Sequence, residues 1–146
     1  MEAWLMANAV QPEDMEAYRN ITEVFGEFSF IANTIRSFYI KFMDVFGYHK
    51  QANYLVYKII EIKAMDASQK DVYQLVKYVE WIAEFLCGNN LGRMKGFIIA
   101  KEFPADILKS FKEHAYRNIV FINYSVSNAR LFFRIFTPES KLESSS

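Results

Sequence analysis

Glu61 and Lys63 stand two residues apart at the end of Tyr54-Leu55-Val56-Tyr57-Lys58-Ile59-Ile60-Glu61-Ile62-Lys63, the most strand-like run in the chain. Alternate side chains of a strand leave the same face. Carboxylate and ammonium therefore project together, close to the C-terminal end of the strand, where open sheets keep their sites. A carboxylate there can ligate a hard divalent cation, and a neighbouring ammonium can stabilise a phosphate or help orient and deprotonate an attacking water. Asp44, 17 residues earlier and late in the preceding strand-like stretch, supplies a second carboxylate. A turn from Gly47 to Asn53 brings the chain back beside it. Asp44, Glu61 and Lys63 together predict a Mg²⁺ site. Glu-x-Lys is a weak pattern by itself, since Glu139-Ser140-Lys141 matches it with no strand around. The surroundings of Glu61 give it its weight.

Those surroundings read as follows. Pro12-Glu13-Asp14 suits the first turn of a helix, and Met15, Tyr18, Ile21 and Phe25 then fall at helical spacing. From Phe28 to about Phe46 the residues are aromatic and β-branched with strand parity. The Tyr54–Lys63 run is apolar enough to be central and covered on both faces. Ser68 or Asp66 can cap a helix from about Gln69 to Leu86, along which Val72, Leu75, Val76, Val79, Ile82, Ala83 and Leu86 form one apolar stripe. Lys95–Ala100 is a short buried strand. Pro104 opens a helix through Ala115, with Ile107, Leu108 and Phe111 inward. Ile119–Ile122 is another strand, which completes a βαβ crossover. Ala129 to Phe136 can add an edge strand. The order α-β-β-β-α-β-α-β predicts an α/β chain with a central mixed sheet flanked by helices.

With 146 residues, about half of them apolar, the chain can bury a core as one domain over 1–136, with 137–146 as a flexible polar tail. Seventeen basic and seventeen acidic side chains cancel, which removes the argument that a strongly cationic surface seeks nucleic acid. The balance is uneven: residues 1–27 carry six acids against Arg19, so the remainder is +5. A lone cysteine, Cys87, excludes an internal disulfide and a multi-cysteine zinc site and fits a reducing compartment, with cytoplasm as the default. No apolar run is long enough for a membrane span, and the N-terminus lacks a secretory pattern.

Asp44, then Glu61-Ile62-Lys63-Ala64, then the helix containing Gln74 and Tyr78, resembles the PD-(D/E)xK, restriction-endonuclease-like nuclease superfamily. Within it, Gln-x-x-x-Tyr after the Glu-x-Lys strand is similar to RecB-type nucleases and to the catalytic domain of NucS-type endonucleases. The likeness continues through Met94–Ala100 and covers roughly residues 40–125. It implies a restriction-endonuclease-like core and Mg²⁺- or Mn²⁺-dependent phosphodiester hydrolysis, more as an endonuclease than an exonuclease. By position, Asp44 and Glu61 would be metal ligands, Ile62 would lend its carbonyl, and Lys63 would attend the water or scissile phosphate. Gln74 and Tyr78, one turn apart, would face the site or the DNA backbone. The helical Glu that the family often adds upstream has Glu16, Glu23 and Glu27 as candidates.

His49 and Lys50, beside each other in the expected turn, can meet phosphate. Lys95 belongs to residues 91–134, where cations outnumber acids by 8 to 3, a candidate DNA-backbone surface. The partners implied are DNA and, for cutting both strands, a second copy in a homodimer. Two rivals stand beside this reading. One is a non-catalytic binding or structural module that keeps the fold, favoured by zero net charge and by Phe42-Met43 where the family has a Gly- or Pro-containing lead. The other is a Holliday-junction-type resolvase with the same fold and metal.

Overall fold

A computed structural model describes residues 1–36, 42–63, 65–107 and 118–136. Six strands form one sheet in the order β1-β2-β3-β4-β5-β6: β1 Phe30–Arg36, β2 Phe42–Gln51, β3 Tyr54–Ile62, β4 Met94–Ala100, β5 Ile119–Ser127 and β6 Arg130–Ile135. β3 and β5 run parallel to β4, and the outer pairings are antiparallel. The sheet is thus mixed and central, as the order of elements predicts.

One face carries helix α3, Gln69–Leu86, and the other carries α1, Glu2–Asn8, with α2, Met15–Phe25. Strand parity sorts the core between them. Ile59, Ile98 and Ala100 point to the α3 side with Val72, Leu75 and Val79. Ile60, Phe97 and Ile99 point to the other side with Leu5, Ile21 and Phe25. Each fully buried large apolar side chain contributes about 1.5–3 kcal/mol, so both faces of β3 and β4 are firmly held. Asn20 ties α2 to β6 by accepting from Phe133 N–H and donating to its carbonyl, both at 2.8 Å.

α3 starts where the sequence predicts. Ser68 Oγ accepts from Asp71 N–H, and the Asp71 carboxylate accepts from Ser68 N–H at 2.8 Å, a capping box. The helix lies unusually close to β4: a Cβ on Gly96 would meet Val79 Cγ2 at 2.8 Å and Leu75 Cδ1 at 3.2 Å. Gly96→Val is therefore expected to cost about 1–3 kcal/mol by overpacking, read as a lower urea midpoint with unchanged slope.

The structure corrects several expectations. α2 begins at Met15 with Asp14 as N-cap, accepting from Glu16 and Ala17 N–H, so Pro12 lies before the helix and not in its first turn. Gly47 is in mid-strand in β2, and the turn is the two residues Ala52-Asn53. Glycine is needed there because a Cβ would lie 2.7 Å from both the Phe28 ring and the Phe30 carbonyl oxygen. α1 was not foreseen, and β5 extends five residues past Ile122 to Ser127. Residues 105–107 begin a helix after Pro104, while Leu108, Phe111 and the rest of that expected helix, and the expected tail, fall outside the described residues. Among the described residues no helix is long and apolar enough to cross a membrane.

Candidate active site

Asp44 and Glu61 face each other across β2 and β3. The antiparallel register pairs Val45 with Ile60, and one step further sets Asp44 opposite Glu61. Both point to the α3 side, since Val45 and Ile60 pack on the other. The ladder closes through a side chain, with Ile62 N–H donating to Asp44 Oδ2 at 2.8 Å. Ile62 carries its own carbonyl on that same edge of the strand. The next residue turns to β4, where Lys63 N–H donates to the Ile99 carbonyl at 2.8 Å. The site therefore sits at the C-terminal end of β3, on the central strand of the sheet.

Glu61 is 3 % exposed, and its Oε1 is buried without a hydrogen-bond partner among the described residues. A buried acceptor in that condition is costly and calls for an explanation. Burial, and next the charge of Asp44, push the Glu61 carboxyl up to about 8, with Lys63 pulling the other way. Two carboxyl groups held together at a strand end, one of them buried, form a donor set that suits a hard divalent cation. Asp44, Glu61 and the Ile62 carbonyl could hold such an ion, and the orphaned Oε1 is consistent with that use. Among the described residues no group of three or more His, Cys, Asp or Glu suited to a metal is found, so protein carboxylates would supply two ligands.

Lys63 lies on the same face, and its Nζ is 3.2 Å from Asp71 Oδ1. Burial pulls the ammonium down, but Asp71, then Glu61 and Asp44, outweigh it and hold it above the usual lysine value. The sequence alone gives Asp71 no role at the site. The signal was present, an acid at the third helical position after Ser68 in a chain whose lysine precedes the cap by five residues.

Gln74 and Tyr78 meet each other, with Gln74 Nε2 donating to Tyr78 Oη at 2.8 Å. Tyr78 is 2 % exposed and packs in the core under α3, not on a polar helix face as the apolar stripe alone suggests. Of the pair, Gln74 is the half-exposed member. The expected phosphate contacts are not brought to the site. His49 and Lys95 lie on the opposite face of the sheet from Glu61, because their spacings from Asp44 and from Ile98, the β4 residue beside Glu61, are odd. His49 is held there by Glu27 at 3.4 Å and Ser29 at 3.3 Å. Lys50 shares the Asp44 face but sits at the hairpin end of β2, roughly 20 Å along the strand from Asp44 by strand rise. Glu27 is engaged by His49 and Glu16 by Arg130, while Glu23 borders the cleft between α2 and the β5–β6 hairpin, so none of these three joins Asp44 and Glu61.

A row of aromatic side chains extends from the site instead. Phe46 follows Asp44 on the same face and stacks on Tyr57 at 5.9 Å; Tyr57 meets Tyr48 at 6.3 Å, and Tyr48 stacks on Phe30 at 5.3 Å. Phe46 and Tyr57 pack against the α3 core, and Phe30, on the edge strand, is 44 % exposed.

No family model matches the chain, and no curated protein matches it. Among solved structures, a repair endonuclease from Pyrococcus abyssi superposes with a TM-score of 0.50 at 19 % identity over 80 % of this chain and 48 % of that one. An EndoMS–dsDNA complex gives 0.49 at 16 % identity over 80 % and 44 %, and EndoMS in its apo form 0.42 at 17 % over 73 % and 45 %. The chain thus spans about half the length of the structures it matches, and what it shares with the Pyrococcus abyssi enzyme is its fold, a mixed sheet flanked by helices.

Proposed function

We propose that this chain is a nuclease that uses a divalent cation, Mg²⁺ or Mn²⁺, to hydrolyse phosphodiester bonds in DNA. The carrying observation is the Asp44–Glu61 pair, face to face at a strand end, with a buried, unpartnered Oε1 on Glu61. Asp44 and Glu61 would hold the ion with the Ile62 carbonyl. When bound, the ion supplies Lewis-acid polarisation of the phosphate and a nucleophile at neutral pH. Asp44 also fixes the strand end by accepting from Ile62 N–H, which keeps the two carboxylates in register. Lys63 presents its ammonium to the scissile phosphate or the attacking water. The resemblance to PD-(D/E)xK nucleases and the fold shared with a repair endonuclease support the same reading.

The test is a panel of single-stranded, duplex, flapped and four-way DNA. Some form is expected to be cut with Mg²⁺ or Mn²⁺ and spared with EDTA. Glu61→Ala should abolish cutting, and full activity in that variant would sink the assignment. Homodimerisation and a junction preference are decided by the same panel with sedimentation of the protein.

The Phe46–Tyr57–Tyr48–Phe30 row leads from the carboxylates to the edge strand, where unpaired bases would stack on its exposed end at about 1–3 kcal/mol each. Tyr48→Ala and Phe30→Ala are each expected to weaken binding of a single-stranded oligonucleotide about tenfold without lowering Mn²⁺ affinity. Unchanged polarisation titrations would exclude the row from substrate contact.

The absence of a third metal-ligating side chain among the described residues favours one rival, a DNA-binding module that has lost catalysis. It predicts DNA retention on a gel and no heat of Mn²⁺ binding.

A further inference from the structure

The structure leaves one strong contact of the site unused by the mechanism. Asp71 is the third residue of α3, and its two carboxylate oxygens have separate tasks. Oδ2 accepts from Ser68 N–H at 2.8 Å and from Ser68 Oγ–H at 2.9 Å. Oδ1 is turned to Lys63 Nζ at 3.2 Å. The cap thereby locks the carboxylate that meets the lysine.

Lys63 needs such a hold. It follows the last residue of β3, and its four-carbon stem leaves the ammonium free to swing. The nearest alternative partners on its own face are Glu61, two residues back, and Asp44 across the pair. An ammonium resting between those carboxylates would stand where Asp44 and Glu61 would hold a divalent cation. Backbone hydrogen bonds stand on either side of Lys63. Lys63 N–H is bonded to Ile99, Lys101 N–H to the Met65 carbonyl at 3.0 Å and Ala67 N–H to the Glu102 carbonyl at 3.3 Å. Those bonds seat Ser68, and so the start of α3, at a fixed offset from the strand end.

We propose that Asp71 is the positioning residue for Lys63, anchoring its ammonium to the first turn of α3 and keeping it off the Asp44–Glu61 pair. The proposal rests on the nuclease reading. It gives the α3 cap a second task, since the carboxylate that starts the helix also clears the metal-ligating pair and leaves the ammonium at its rim.

Two measurements test it. In the metal-free protein, the Lys63 ammonium resonance, seen by NMR only when the protons exchange slowly, is expected in the wild type. It should persist in Glu61→Gln and vanish in Asp71→Asn, whose amide oxygen still accepts from Ser68. Loss in Glu61→Gln with survival in Asp71→Asn would overturn the proposal whatever the protein's activity. In the second measurement, Mn²⁺ is titrated calorimetrically into wild type, Asp71→Asn, Lys63→Ala and the double variant. Asp71→Asn should weaken binding about tenfold, the loss should disappear in the Lys63→Ala background, and Asp71→Glu should restore affinity. An equal loss in both backgrounds would mean that Asp71 acts through space as a charge, and the proposal falls while the nuclease reading stands. Absence of Mn²⁺ binding in the wild type removes the nuclease reading, and this proposal with it, even where the metal-free resonance is seen.

Discussion

On the proposed nuclease function, Glu61→Gln is expected to abolish metal-dependent cleavage and at the same time to stabilise the metal-free protein at alkaline pH. Both effects come from burying a carboxyl beside Asp44. In the unfolded chain Glu61 loses its proton near the ordinary value of 4.5, whereas in the fold it keeps it up to about 8. Between those values the folded state binds more protons than the unfolded one, so stability falls as pH rises. The contribution is intact below 4.5 and fully lost above 8, a change of roughly 3–5 kcal/mol. An amide does not titrate and can donate to Asp44, so the variant escapes this loss. At pH 8.5 its melting temperature is expected to exceed that of the wild type by on the order of 10 °C, and at pH 4.5 the two should converge. Lys58 does not confuse the measurement. Burial and Lys95 lower its ammonium to about 8 from 10.5. Its linkage therefore runs the other way, stability rising with pH, and in the higher window. Thermal melts of both proteins from pH 4.5 to 9 decide the matter, and parallel curves would show that Glu61 is not the buried acid described here. A buried acid that lowers stability at neutral pH is the kind of cost that functional sites carry.

The same physics explains what could be read from the sequence. β3 was legible because an apolar run ending in two like-facing charges has few explanations, and α3 because its cap and stripe agree. Gly47 misled because glycine ordinarily punctuates strands; here the Phe28 ring, distant in sequence, demands it. Tyr78 misled because its hydroxyl suggests water, whereas Gln74 satisfies that hydroxyl and lets the ring join the core. His49 in an expected turn and Lys95 in a cationic stretch suit phosphate by type, but odd spacing on a strand places both on the other face. Lys58, a cation within the apolar run, finds partners distant in sequence: it donates to the Glu27 carbonyl at 2.6 Å and lies 4.7 Å from the Phe28 ring centroid. α1 carries no side-chain cap, which leaves it without the usual start signal.

Metal binding should be coupled to this proton, and the coupling gives the second large effect. If Glu61 ligates the ion it must do so ionised. At pH 7 a carboxyl titrating at about 8 is mostly protonated, so each Mn²⁺ bound should release close to one proton. Affinity should therefore climb about tenfold per pH unit from 6 to about 8 and then level off. The proton count is measurable by calorimetry in buffers of different ionisation enthalpy, and the affinity by its pH series. Asp44→Asn supplies the control. Its amide oxygen still accepts from Ile62 N–H and preserves the strand end, and burial still raises the Glu61 carboxyl, but the added push of the Asp44 charge is gone. The variant should bind Mn²⁺ far more weakly, and its affinity should reach its plateau at lower pH. A wild-type affinity that is flat from pH 6 to 8 would mean that the ion is held elsewhere, and would separate the carboxylate pair from any cleavage observed.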